Sequence, residues 1–169
     1  MINSRIWIGI VFFCVLISVA GCVSMIFGPP ETKSHEYKLI TLPKSWQKID
    51  PGNSDFAYQY PIDRSTISLN SVCGQYQELS LTELTNSLML GLTDSHIDKT
   101  ENLEIDGFPA LRTTVSGKSS QEEVTVSYTA IRSQKCVYDF ILVAKSTVFM
   151  EHRAVYENAV RDFHERADD

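Results

Sequence analysis

Val124-Thr125-Val126-Ser127-Tyr128-Thr129-Ala130 and, past the turn residues Ser133 and Gln134, Cys136-Val137-Tyr138-Asp139-Phe140-Ile141-Leu142-Val143-Ala144 decide the fold. In the first stretch apolar and hydroxyl-bearing or small side chains alternate without a break. Successive side chains of a strand point to opposite faces, so one face is covered and the other is wet or polar. In the second, Cys136, Tyr138, Phe140 and Leu142 share one face while Val137, Ile141 and Val143 share the other. A strand apolar on both faces belongs at the centre of a sheet.

Upstream, Asp106-Gly107 suits the positive φ of a tight hairpin between Leu103-Glu104-Ile105 and an arm from Phe108 through Val115. Gly117-Lys118-Ser119-Ser120 supplies the next turn. Earlier strands are expected at 37–42, stopped by Pro43, at 57–60 and at 66–73, where Ile67, Leu69 and Cys73 fall on one face. Trp46 lies in a loop, as a plug over one end of the sheet.

Two helices complete the pattern. Ser80 with Glu83 three residues on makes a capping box, and Leu79 with Leu84 a hydrophobic staple. The stripe Leu81, Leu84, Leu88 and Leu92 predicts a helix over 81–92. A second helix opens near Ser146 or Thr147. Its buried side carries Phe149, His152, Tyr156, Ala159, Val160 and Phe163. The charged tail 165–169 is expected to fray. Strands broken by two amphipathic helices give an α+β fold, an antiparallel β-sheet sandwiched by helices, over residues 36–164.

The N-terminus is of another kind. One positive charge, Arg5, precedes an apolar run at 6–20, and Val19-Ala20-Gly21-Cys22 closes it. A basic start, an apolar stretch and small residues before a cut site make a signal peptide over 1–21. The cysteine directly after the small pair resembles the lipobox of bacterial lipoproteins. That resemblance implies a multiply acylated Cys22, palmitate included. Val23 rather than Asp after it implies the outer membrane, facing the periplasm. Residues 6–27 are all uncharged, however, and 22 residues at about 1.5 Å each would also span a bilayer as an uncleaved helix. Both readings leave the remaining chain outside the cytoplasm. Residues 22–35, with Pro29-Pro30, then form the lipidated start and a short tether.

Charge narrows the partners. The chain has 15 basic and 21 acidic residues, a formal net charge of −6. Removing the first 21 of its 169 residues takes away one basic residue and no acidic one, leaving 148 residues at −7. An acidic chain with scattered Lys and Arg argues against nucleic acid and against electrostatic adhesion to anionic lipid. Cys14 is discarded and Cys22 is acylated, so Cys73 and Cys136 remain. In an oxidising compartment two cysteines pair, worth roughly 4 kcal/mol by loop entropy; two buried free thiols are the alternative.

Leu42-Pro43-Lys44-Ser45-Trp46, the capped helix, Ile105-Asp106-Gly107-Phe108-Pro109-Ala110 and a closing helix ending in Phe163 together resemble the PsbP-like fold. That fold is shared by photosystem II extrinsic proteins, a eukaryotic Ran-binding import factor and bacterial DcrB-type lipoproteins. The resemblance implies a two- or three-layer sandwich and a non-catalytic, partner-binding role, and transfers no site residue.

Gly117-Lys118-Ser119 ends like a phosphate-binding loop, but the required glycine five residues earlier is Arg112. No Gly-x-Ser-x-Gly or His-Glu-x-x-His pattern occurs, and no catalytic residue, metal ligand or cofactor is expected. His35, His96, His152 and His164 are scattered, and a site joining His96, His152 and a carboxylate depends on folded proximity. Phe56, Tyr58, Tyr60 and Tyr76 gather near the early strands. Loops at 46–55 and 94–102 are the expected binding surfaces. The function expected is a membrane-anchored accessory module that binds an envelope protein. The alternative is a small-molecule or lipid carrier with a pocket between sheet and helices.

Overall fold

A computed structural model describes residues 37–38, 41–74, 78–88 and 91–165, which all fall in one unit, Thr32–Asp169. Its elements are β1 (Gln47–Ile49), β2 (Phe56–Gln59), β3 (Thr66–Cys73), α1 (Leu81–Leu88), β4 (Thr93–Ile105), β5 (Phe108–Ser119), β6 (Glu122–Arg132), β7 (Cys136–Lys145) and α2 (Phe149–Arg161). The seven strands form one sheet in the order β1-β2-β3-β7-β6-β5-β4. Every pairing is antiparallel. Two meanders are thus joined where β3 lies against β7, from Thr66↔Val143 to Cys73↔Cys136. β7 is the central strand, as its two apolar faces require.

One face of the sheet is sealed by α2. Ile67 and Leu69 of β3, Ile131 of β6, and Tyr138, Phe140 and Leu142 of β7 are fully buried with Tyr156, Val160 and Phe163. Each such side chain contributes about 1.5–3 kcal/mol on leaving water. The other face is covered over β5 and β6 by α1, above Val115, Val124, Val126 and Tyr128. Helices on both faces make three layers.

The capping box forms as read. Ser80 Oγ accepts from Glu83 N–H at 3.1 Å, and Glu83 Oε2 accepts from Ser80 N–H at 2.7 Å. Leu79, the outer half of the expected staple, is exposed. The helix is described only to Leu88, and Leu92 lies beyond it, just before β4.

Elsewhere the structure departs from the sequence reading. Within 37–42, Tyr37 makes an isolated bridge to Glu165, and residues 41–42 are not strand. Pro43 there accepts from the Trp46 N–H and turns the chain instead. Residues 94–102, expected as a loop, belong to β4. That half of β4 is exposed and bulged at two places, so it shows no two-residue period. Gly117 lies within β5, and the turn falls at Ser120 and Gln121, both at positive φ. A Cβ on Gly117 would stand 3.1 Å from Ser95 Cα, so this glycine admits the bulged start of β4. Glu165 is anchored rather than frayed: its carboxylate accepts from Tyr138 Oη at 2.7 Å. On β6 the alternation left its second face wet or polar; Thr125, Ser127 and Thr129 make it polar and buried.

Candidate functional site

The sheet has two ends. At one lie the Cys73–Cys136 pair, the turn at Asp106 and Gly107, and Tyr37 with Phe163. At the other lie the turn at 61–65, the hairpin at Ser120 and Gln121, and the start of α2. β7 spans the distance between them, ten residues or about 30 Å.

The second end holds a histidine–carboxylate pair. His152, one turn into α2, sets Nε2 2.7 Å from Asp63 Oδ2 in the turn between β2 and β3. The imidazole is 7 % exposed and the carboxylate 16 %. Trp46 meets the imidazole edge-on at 5.2 Å, and Tyr60 lies 4.8 Å from it. The other Asp63 oxygen accepts from Ser65 N–H at 2.9 Å. Burial alone would raise this carboxyl, but the bonds from His152 and Ser65 outweigh it and hold the group below its ordinary value. The turn is further tied by Tyr60 N–H to Ser65 O and Arg64 N–H to Tyr60 O. Trp46 is the expected plug; what it covers is this histidine.

Beside the turn opens a cleft of about 450 Å³. Its floor is Val124, Val143 and Ala144, and Ile62, Arg64 and Lys145 stand at its rim. Val143 is 37 % exposed because α1 lies over β5 and β6 and does not reach this end of β7.

A second polar group stiffens the far side of α2. Arg112 donates through Nε to Thr129 Oγ1 and through Nη1 to Glu157 Oε1, at 3.3 and 3.0 Å. Arg153 joins the same Glu157 oxygen. Tyr156 Oη donates to Phe140 O, and burial pushes this phenol well up. A third group runs from Asp98 through Ser116 and Thr125 to Ser146 by hydroxyl contacts of 2.6–3.2 Å.

The histidines are not brought together. His96 pairs with Asp98 on β4 and His164 with Asp106, while His152 sits across four strand steps, roughly 19 Å, from β4. His96 and His152 therefore share no ion. In none of the three described His–Asp pairs does a hydroxyl meet the imidazole, which general-base activation of a serine needs. Cys73 and Cys136 are disulfide-bonded, S–S 2.09 Å, with their Cα atoms 4.0 Å apart across the β3–β7 pair. Cys22, Cys14, His35, Tyr76 and the run at 6–27 lie outside the described residues. Among those described, no helix is long and apolar enough to cross a membrane.

The Asp63–His152 pair and the cleft escaped the sequence reading. Two residues 89 positions apart carry no local signal, although an Asp-x-Ser turn beside a histidine on an apolar helical stripe was visible.

No family model matches the chain, and no curated protein does. Solved structures do. CyanoP, the PsbP of the cyanobacterium Synechocystis sp. PCC 6803, superposes with a TM-score of 0.55 at 14 % identity, covering 86 % of this chain and 96 % of its own. The fold is PsbP-like. LpqN of Mycobacterium tuberculosis, involved in cell envelope biogenesis, gives 0.61 at 15 % identity over 83 % and 87 %. PA94 of Pseudomonas aeruginosa, of unknown function, gives 0.52 at 12 % over 78 % and 87 %. At such identities the PsbP-like likeness concerns the fold alone.

Proposed function

We propose that this chain is a membrane-anchored, non-catalytic accessory module that binds another protein of the cell envelope. The observation that carries this reading is the way the structure spends its polar groups. Asp63, His152, Arg112, Glu157 and Asp98 are consumed in holding turns, helices and strands, and a cleft with an apolar floor stands beside the braced turn at 61–65. Rigid loops on a packed scaffold are the usual equipment of a binding domain. A neighbour in fold, LpqN, is involved in cell envelope biogenesis, which agrees with an envelope address. The lipobox at Val19-Ala20-Gly21-Cys22 supplies the anchor, and its Val23 the outer membrane.

The carrier reading has less support. The space between the sheet and α2 is filled by Tyr138, Phe140, Tyr156 and Phe163, all fully buried, so a ligand there would have to displace the core. The test is a lysine-reactive crosslink of the full chain in its own cells, followed by purification and mass spectrometry. A single envelope protein enriched reproducibly supports the accessory reading. A chain that emerges alone, or with a bound lipid as its one companion, refutes it.

A further inference from the structure

The turn at 61–65 is built at some cost. Arg64 adopts φ +66°, a left-handed conformation that costs a non-glycine residue about 1–2 kcal/mol. Arg64 N–H donates to Tyr60 O at 2.9 Å, Thr66 Oγ1 donates to Arg64 O at 3.2 Å, and the His152–Asp63 pair braces the turn from inside. What this bracing presents is Ile62, 84 % exposed, and the Arg64 side chain, both lining the cleft above Val124 and Val143. An isoleucine so exposed gains nothing for the fold.

The charges at the rim decide what fits. Lys145 is already paired with Glu122 at 3.0 Å, and Asp63 is taken by His152 and Ser65. Among the described residues, Arg64 is the lining cation without a carboxylate of its own. With Arg64, Lys145, Asp63 and Glu122 the rim sums to zero, so it offers no field for an anionic bilayer, which needs a cluster of cations. An unpaired guanidinium beside an apolar floor instead suits one carboxylate close to one aliphatic side chain. The cleft lies at the end of the sheet opposite Tyr37.

We infer that the Ile62–Arg64 rim and the Val124–Val143 floor form a docking surface for a partner protein, taking a segment with an aliphatic side chain within two residues of an Asp or Glu. This rests on the partner-binding reading above and gives it a location. The test places the photoreactive residue p-benzoylphenylalanine at position 62 of the full chain in its own cells. The same probe goes at Lys48 and Glu104, exposed positions on the two edge strands.

Irradiation should attach position 62 to another protein, within a segment of the stated pattern. Arg64→Glu should cut the yield at least tenfold while Arg64→Lys keeps it within about twofold, and unchanged thermal melts of both variants confirm the fold. An adduct at 48 or 104 but none at 62 overturns the location and leaves the partner-binding reading standing. No protein adduct at any position overturns both. At position 62, an adduct with lipid, with a second copy of this chain, or one indifferent to Arg64→Glu overturns the docking surface.

Discussion

Asp63 and Asp139 are two partly buried carboxylates that respond to acid in opposite senses. Asp63 is held below its ordinary value, so its contribution is complete above the unfolded carboxyl range near pH 4 and is lost as pH falls through the lower folded value. Asp63→Asn should therefore destabilise the domain by about 1–3 kcal/mol near neutral pH, the deficit closing below about pH 4. Urea melts across that range read it directly, and a constant deficit would assign the pair a packing role only. Asp139, between Asn70 and Ala130 in the sheet, has an oxygen with no hydrogen-bond partner, and burial raises its carboxyl to about 7. Between about pH 4 and 7 the unfolded chain has released this proton while the folded chain keeps it, so stability falls as pH rises. Asp139→Asn should gain roughly 1–3 kcal/mol at about pH 8 and little at about pH 4. A gain equal at both pH values would show that the proton is not involved.

At the scale of elements, the β3–β7 ladder joins the two meanders, and its last rung is covalent. Replacing Cys73 and Cys136 by Ala should cost about 2–4 kcal/mol, seen as a melting temperature lower by roughly 10 °C. A loss under about 1 kcal/mol would mean that the hydrogen-bonded ladder holds this seam unaided. At β5, Gly117→Ala should cost about 1–3 kcal/mol and loosen the first residues of β4, because the new methyl meets Ser95 backbone. Hydrogen exchange confined to 93–98 would check it.

The elements differ in how much the sequence disclosed. β3, β7 and the Ser80 cap were legible because their cues are local: period two, apolar runs on both faces, and a box three residues wide. The first half of β4 was not, since an exposed edge strand with two bulges has no apolar rhythm to read. Three-residue β1 is too short to show one. On β6 the Thr125–Ser127–Thr129 face read as wet or polar, and Thr129 meets Tyr156 Oη at 2.6 Å beneath α2. Hydroxyls satisfied inside the protein and hydroxyls satisfied by water give the same sequence pattern.

For the whole molecule, the question is how the domain is held and which end it offers. Cys22→Ala should abolish acyl labelling and processing. A variant that is still processed normally would refute the lipobox reading. The described domain begins at Tyr37, bridged to Glu165 beside the disulfide end.

The seam between the meanders also sets a clock. Cys73 and its partner strand are separated by 63 residues. At about 5–20 residues per second of synthesis, β3 waits roughly 3–13 s for β7 to be made. During that interval β3 has no β7 to pair with, and Cys73 remains a thiol. Closure of the sulfur bridge therefore marks completion: only a chain synthesised past Cys136 can carry it.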